Sequence, residues 1–314
     1  MNYLPAASRL YDVAIITVNY NSSDYTINCV HEIIKQTATD INYNIVVVDN
    51  NSETNEFDKL SVLTEHDNVT LVRSHINLGF AGGNMFGLQF SRASYYFFLN
   101  NDCLLLNDCL TVLYDFCEKN TDVGMCSPQL YKSAGQPEPC FDYFPTLSSR
   151  IFGTGIFKIT HGKNYFPRKK IPQQPVVVEV LSGSQLFVRA NVFDDLGGFD
   201  TNLFLYCEEE DLAIRINRAG YKTYIVPQAH NQHAGGGSTQ RSYEIRREFF
   251  ISYLYLYRKH YGFIKTQIIK LLLFIRQIKK VFKDPACGKL AFFIISGAHM
   301  KHSLRHRQKS RQLS

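Results

Sequence analysis

An α/β architecture on a mostly parallel, doubly wound sheet, followed by a helical C-terminal extension, is the fold class this sequence predicts. Three observations carry it. Short apolar runs that end on polar loops alternate with helical segments from residue 13 to residue 226. The 314 residues are 45% hydrophobic, enough for one large domain with a sizeable core plus an appendage. Charge is divided unevenly: residues 241–314 hold 17 Lys and Arg against 3 Asp and Glu, and residues 1–240 hold 17 against 25. We therefore expect a catalytic-sized domain over 1–240 and a basic helical region over 241–314.

The elements follow in order. Val13–Val18 is a short apolar run that ends in Asn-Tyr-Asn-Ser-Ser, a buried strand feeding a loop and then a helix over about 24–35. Asn44–Val48 and Val69–Arg73 are the next strands. A helix from about Gly83 to Ala93 leads into a strand at Tyr95–Leu99. From Lys132 to Pro175 the alternation stops, and Pro, Gly, Lys and aromatic residues dominate. A stretch of that length reads as a partly ordered acceptor-side region or lid. Strand character resumes at Val176–Leu181 and Gln185–Val188. Asp211–Arg218 is a helix ended by Ala219-Gly220, with glycine where a left-handed cap favours it, and Tyr224–Val226 is a last strand. Beyond Arg241, Ile264, Ile268, Leu271, Ile275, Ile278 and Phe282 recur four and three apart among Lys265, Arg276, Lys279, Lys280 and Lys283, a basic amphipathic helix.

The polar motifs fall at the carboxyl ends of strands, where open α/β sheets bind ligands. Thr17-Val18-Asn19-Tyr20-Asn21 ends the first strand and Asp49-Asn50-Asn51-Ser52 the second. Asn77-Leu78-Gly79-Phe80-Ala81-Gly82-Gly83-Asn84 looks like a phosphate loop, because glycines let backbone amides approach an anion at a helix start. It is neither a dinucleotide fingerprint nor a P-loop. Asn100-Asn101-Asp102 ends the Phe-Phe-Leu strand. Glu208-Glu209-Glu210-Asp211 follows the apolar run Leu203–Tyr206, so four carboxylates open a helix whose dipole favours them.

Taken in order from about Val13 to Ser238, these segments, with Gly197-Gly198-Phe199-Asp200 and His233-Ala234-Gly235-Gly236-Gly237-Ser238, resemble inverting family 2 glycosyltransferases of the GT-A fold. The likeness is greatest to the bacterial rhamnosyltransferase-like branch that builds surface polysaccharides. The resemblance implies a donor site formed by Thr17, Val18, Asn19, Asn21, Asp49, Asn77, Gly79, Phe80, Gly82, Asn84, Asn100 and Asn101, with Asp49 accepting from the N3–H of a uracil or thymine. It also implies Mg2+ or Mn2+ at Asp102 and His233, because Asn100-Asn101-Asp102 occupies the position of the family's Asp-x-Asp motif. Asn100 replaces the first Asp, which lowers the negative charge offered to the metal. The acidic run aligns with the family's Glu-Asp-x-Asp-Leu pattern and puts the general base at Glu209, one methylene longer than the usual Asp. Glu208 competes for that role, and Asp211 supports the site or caps the helix. A catalytically degenerate nucleotide-sugar-binding subunit is the alternative that these two departures raise. A sugar nucleotidyltransferase is disfavoured by the absence of a Gly-rich signature with a basic residue near the first strand.

The implied partners are a nucleotide-sugar donor (dTDP-rhamnose or a UDP-hexose) and a saccharide acceptor, lipid-linked, in polysaccharide or O-antigen assembly. The basic tail calls for an anionic partner, and without a nucleic-acid module in the body the choice falls on the anionic membrane surface. Eight cysteines with no CxxC spacing read as core residues of a reducing compartment. Residues 290–298 are far short of the roughly 20 apolar residues that span a bilayer. No secretory signal is visible at Met1–Pro5. The expected location is cytoplasmic, peripheral on the inner face of the membrane.

Overall fold

The computed structural model describes residues 10–162, 165–233 and 242–310. The first half runs β1 (Tyr11–Asn19), α1 (Ser23–Gln36), β2 (Tyr43–Asp49), α2 (Thr54–Lys59), β3 (Val69–Arg73), α3 (Gly79–Gly87), β4 (Ala93–Leu99), β5 (Cys103–Leu105), α4 (Cys109–Lys119) and β6 (Val123–Tyr131). There follow β7 (Pro137–Glu138), β8 (Phe141–Asp142), α5 (Leu147–Phe152), α6 (Ile156–His161), β9 (Val176–Val178), β10 (Val180–Leu181), β11 (Gln185–Arg189), α7 (Ala190–Asp195), α8 (Glu208–Arg218) and β12 (Lys222–His233). The chain continues through α9 (Tyr243–Ile278) and α10 (Ala286–Ile295).

The main sheet has the order β3-β2-β1-β4-β11-β6-β12-β5. Pairs β1–β2, β2–β3, β1–β4 and β6–β12 are parallel, whereas β11 runs antiparallel to both β4 and β6, so the sheet is mixed at its centre. Because β2 and β4 flank β1, the strand order reverses there, and a crevice opens beyond the carboxyl ends of β1 and β4. Strand period two sends neighbouring residues to opposite faces. Ile16, Val46 and Phe98 pack under α3, α7 and α8, and Ile15, Val47 and Phe97 pack under α1 and α4.

Among the elements not expected from the sequence are α2, α4, β5, β6 and α7. Pro128 sits inside β6, where it cannot donate to a ladder. The partner strand accommodates it with a register slip, Val226 facing Pro128 and His230 facing Gln129. That bulge sets how far β12 extends, and β12 ends on His233. The region 132–175 holds four short elements, β7, β8, α5 and α6, among its described residues.

The C-terminal region shares a third core with the sheet domain. Leu203, Cys207 and Ile214 pack against Phe250, Ile251, Leu254 and Tyr257 of α9 and Leu290 and Ile294 of α10. The helix breaks at Gly262, whose φ of 80° and ψ of 178° leave helical space. After the break the residues that turn inward are Ile269 and Leu273. The stripe expected to be the apolar face of a packed or membrane-bound helix is solvent-exposed throughout: Ile264 is 75% exposed, Phe282 fully so, and Ile268, Leu271, Ile275 and Ile278 are exposed by 39–51%. No helix among the described residues is long and apolar enough to cross a membrane. The boundary expected at 240/241 and the segment Ala234–Ser238 lie outside the described residues.

Candidate active site

A cavity of about 650 Å³ occupies the crevice at the ends of β1 and β4, a size suited to a small-molecule ligand. Of the residues expected to bind a donor, Val18, Asn21, Asn77, Gly79, Phe80, Asn84, Asn100 and Asn101 line it. Thr17, Asn19, Asp49 and Gly82 are not on its wall.

Asn19 and Asp49 lie behind it, fully buried, in a network that joins the two strand ends. Asn19 Nδ2 donates to Asp49 Oδ1 and Ser52 Oγ, both at 3.0 Å, and Asn19 Oδ1 accepts from Thr26 Oγ1 at 2.8 Å. Asp49 Oδ2 accepts from the Ser52 amide at 3.2 Å and lies 3.1 Å from Arg73 Nε. Both oxygens of Asp49 are thus engaged, and its contact with a nucleobase would require that network to open. Asn101 does similar work, donating to Ser22 Oγ at 2.7 Å and Thr26 Oγ1 at 2.8 Å, which ties the end of β4 to the loop after β1. Asn21 and Asn51, with φ of 50° and 69°, turn the chain at the two strand ends in the left-handed region that asparagine tolerates.

In the glycine-rich loop the amides best placed for an anion are largely taken up within the protein. Its leading amides are already bonded: Leu78 to Asn50 Oδ1 at 2.8 Å, Gly79 to Asn77 Oδ1 at 2.8 Å, and Phe80 to the Phe204 carbonyl at 2.9 Å. Its glycines serve close packing instead. Gly79 has φ of 74°, and a Cβ there would meet Phe204 O at 2.0 Å. A Cβ at Gly83 would press on Val18 at 3.1 Å. The loop thereby clamps the first half of the site to the segment that leads into α8.

Asp102 and His233 come together from the end of β4 and the end of β12. His233 Nε2 lies 3.1 Å from Asp102 Oδ1, and that buried oxygen has no aligned hydrogen-bond donor. The adjoining carboxylate raises the His233 imidazole above its ordinary value, against burial. Cys103 completes a group of three potential ligands within 4.8 Å of one another. Its thiol is pushed well up by burial, so it stays protonated and is a poor ligand for a hard cation. Oxygen from Asp102 and nitrogen from His233 fit a divalent ion that completes its shell with diphosphate and water. His230 belongs elsewhere, with Nε2 3.0 Å from the Pro227 carbonyl.

The acidic run opens α8. Tyr206 and Cys207 enter it with φ of 75° and 70°, a left-handed pair costing about 1–3 kcal/mol each, of the kind that collects at functional sites. Burial, reinforced by the charge of Glu210, pushes Glu208 up to about 8, and its Oε2 has no hydrogen-bond partner. Burial and both neighbouring glutamates raise Glu209 well above the carboxylate range. Glu210 is raised by burial, with Cys207 and Arg150 opposing. Glu209 packs over Gly183, where a Cβ would lie 3.4 Å from its carboxyl carbon. The adjoining Ser184 carbonyl accepts from the Asn100 amide at 2.9 Å, so Glu209 stands beside the end of β4.

Asp211 is different. It is fully buried, and burial would raise it, but His260 Nε2 at 2.7 Å, Arg215 Nε at 2.8 Å and Lys259 Nζ at 2.6 Å draw it down to about 2. Arg218 donates to His260 Nδ1 at 3.0 Å, which fixes the imidazole proton on Nε2, facing Asp211. Lys259 and His260 belong to α9, so the C-terminal region holds the start of α8 in place.

Sequence reasoning missed Tyr20, Ser22, Asn50, Leu99, Phe204 and Leu205 on the cavity wall, all inside or beside motifs that it had marked. It also missed Ser242, Glu244, Ile245, Leu304 and Gln308, for which the sequence carries no signal.

The family model of glycosyl transferase family 2 matches residues 14–170. The chain is 25% identical over 250 residues to the low-salt glycan biosynthesis hexosyltransferase Agl10 of Haloferax volcanii, covering 77% of this chain and 74% of that one. It is 27% identical over 240 residues to the rhamnosyltransferase WbbL of Escherichia coli K12, covering 70% and 83%. Over 90 residues it is 36% identical to the N-acetylglucosaminyl-diphospho-decaprenol L-rhamnosyltransferase of Mycobacterium tuberculosis, 28% of this chain and 29% of that one. Among solved structures, the mannosyltransferase PcManGT of Pyrobaculum calidifontis, in complex with GDP-Man and Mn2+, superposes with a TM-score of 0.54 at 15% identity over 96% of this chain and 84% of that one. With the strand reversal at β1 and the polar ends of β1, β2 and β4 around one cavity, the chain belongs to glycosyl transferase family 2 and has the GT-A fold.

Proposed function

We propose that this glycosyltransferase moves a sugar from a nucleotide-sugar donor, dTDP-rhamnose or a UDP-hexose, to a lipid-linked saccharide acceptor with inversion at the anomeric carbon. The observation that carries the reading is the raised carboxylate Glu209, packed over Gly183 beside the end of the strand that leads to Asp102.

The donor's nucleoside rests on the ends of β1 and β2, on a floor made rigid by Asn19, Asp49 and Ser52. Asn77, Phe80 and Asn84 bound the pocket on the α3 side, and Asn100 and Asn101 bound it beneath the diphosphate. Asp102 and His233 would hold Mg2+ or Mn2+, which when bound would supply positive charge against the departing diphosphate. Glu209, ionised when the acceptor arrives, takes the proton from the acceptor hydroxyl as that oxygen attacks the anomeric carbon in line. The bond to the leaving nucleoside diphosphate breaks on the opposite face, so no covalent nucleophile is needed. Asp211, held by Lys259, His260 and Arg215, positions the start of α8 and stays ionised throughout.

The membrane partner follows from the exposed stripe on the second half of α9. Ile264, Ile268, Leu271, Ile275, Ile278 and Phe282 offer apolar surface, and Lys265, Lys279, Lys280 and Lys283 offer attraction worth about 1 kcal/mol each to anionic lipid. Arg276 donates to the Arg150 carbonyl, which joins this face to α5, where Ile151 and Phe152 are also exposed. The face thus adjoins the 132–175 region, read from the sequence as the acceptor side, which supports delivery of a lipid-linked acceptor. Co-sedimentation with phosphatidylglycerol vesicles, lost in Ile264→Asp with Phe282→Asp, supports it; equal binding in both proteins contradicts it.

The reaction is tested with dTDP-rhamnose, UDP-glucose, UDP-galactose, UDP-N-acetylglucosamine and GDP-mannose, each with Mg2+ or Mn2+. Metal-dependent release of one nucleoside diphosphate, lost in Asp102→Ala, is the expected result. Donor binding with no turnover under any condition would favour a catalytically degenerate binding subunit.

A further inference from the structure

The cavity is walled in part by the C-terminal segment. Leu304 and Gln308 line it, although they lie more than two hundred residues from the strand ends that form its floor. The segment is fixed at two points. On α9, the buried carboxylate of Glu248 accepts from Ser303 Oγ at 2.7 Å and from the Leu304 amide at 2.8 Å, which satisfies both of its oxygens. On the far side, Asn51 Nδ2 donates to the Lys309 carbonyl at 2.9 Å. Between these points Gln308 Nε2 bonds the Leu304 carbonyl at 2.8 Å, holding the turn closed.

One further observation points to a ligand. Residues 303–310 carry Arg305, Arg307 and Lys309 with no acidic residue among them, a charge pattern that favours a polyanion. Tyr20, Asn21, Ser22 and Asn50 bring the strand ends to the cavity that Leu304 and Gln308 also line.

We propose that residues 303–310 form a strap across the donor site and that Leu304 and Gln308 contact the nucleoside of the nucleotide-sugar donor. This rests on the nucleotide-sugar reading above. The strap is part of the binding site rather than a tail beyond it, and the buried bond to Glu248 keeps it in place before the donor arrives.

The test is isothermal titration of the full chain with UDP, dTDP and GDP, for wild type, Leu304→Ala and Gln308→Ala. Hydrogen exchange of residues 303–310 is followed with and without nucleotide. Each variant is expected to bind the preferred nucleoside diphosphate about fivefold to tenfold more weakly, the equivalent of one lost contact. Donor KM should rise in step with that loss while kcat stays within about twofold of wild type, and nucleotide should slow exchange across the strap in wild type. Unchanged affinity in both variants, with strap exchange indifferent to nucleotide, overturns the proposal while leaving the transferase reading intact. A folded wild-type protein that binds none of the three nucleotides overturns both.

Discussion

The ends of β1 and β2 and the start of α8 both crowd polar side chains together near the end of β4, yet they do so in opposite ways. At the strand ends, Asn19 and Asp49 are each bonded to several partners, and Asn101 extends the network to β4. At the helix start, three consecutive glutamates crowd together, all raised, and Glu208 keeps an unpartnered oxygen. The first arrangement is a frame whose polar groups are satisfied before any ligand binds. The second retains proton affinity near neutral pH, which is where a general base is useful. Asp211, one residue beyond Glu210, completes the contrast: with a lysine, a histidine and an arginine on its carboxylate, it belongs to the frame.

The largest expected break comes at Asp102, the proposed metal ligand. Asp102→Ala should lower transfer by about 10²–10³-fold or more and abolish its response to Mn2+ or Mg2+, with the melting temperature little changed. Transfer that persists and still responds to metal would remove Asp102 from the site.

The frame is tested at Asp211. Asp211→Ala leaves Arg215, Lys259 and His260 crowded without their anion, and a loss of about 3–5 kcal/mol in chemical unfolding is expected. The wild-type contribution has a definite sign. Asp211 is depressed to about 2, so its stabilisation is present above the unfolded carboxylate range and is lost as pH falls through about 2. Lys259→Met, milder, should lower kcat more than it raises KM, because it loosens the start of α8 without touching the donor pocket.

The glutamates carry the opposite sign. Glu208 is raised to about 8, so the folded state is favoured below the unfolded carboxylate range and loses that advantage as pH climbs through about 8. Glu208→Gln should flatten the fall in melting temperature between about pH 5 and pH 8. It should also move the acid limb of kcat/KM to lower pH, because Glu209 loses a like-charged neighbour. An unmoved limb would mean that Glu208 does not influence the base.

Much of this contrast was legible in the sequence. The strands at Val13–Val18, Asn44–Val48 and Tyr95–Leu99 stand out because apolar runs end abruptly on Asn and Asp, and the acidic run stands out because aromatics lead into it. Three features were not legible. Pro128 masks β6, since only the bulge in a strand about a hundred residues away lets proline sit there. The glycines of the 77–84 loop read as anion-binding because glycine is shared by two purposes; here it makes room for Phe204 and Val18. The apolar period of the second half of α9 was found, but period alone does not say whether a stripe packs or stays open, and the packed face proved to be Ile269 and Leu273. The partners of Asp211 and the residues of the strap depend on contacts across 49 to 258 residues of sequence, which no local pattern encodes.

The most direct measurement combines binding and chemistry in one protein, Glu209→Gln. Nucleoside diphosphate affinity and the single-turnover rate of transfer are measured on the same preparation. If the frame binds the donor and Glu209 deprotonates the acceptor, affinity stays within about twofold of wild type while the rate falls by about 10²-fold or more. A rate that survives in Glu209→Gln, or an affinity that collapses with it, would contradict the division of labour between the strand ends and the start of α8.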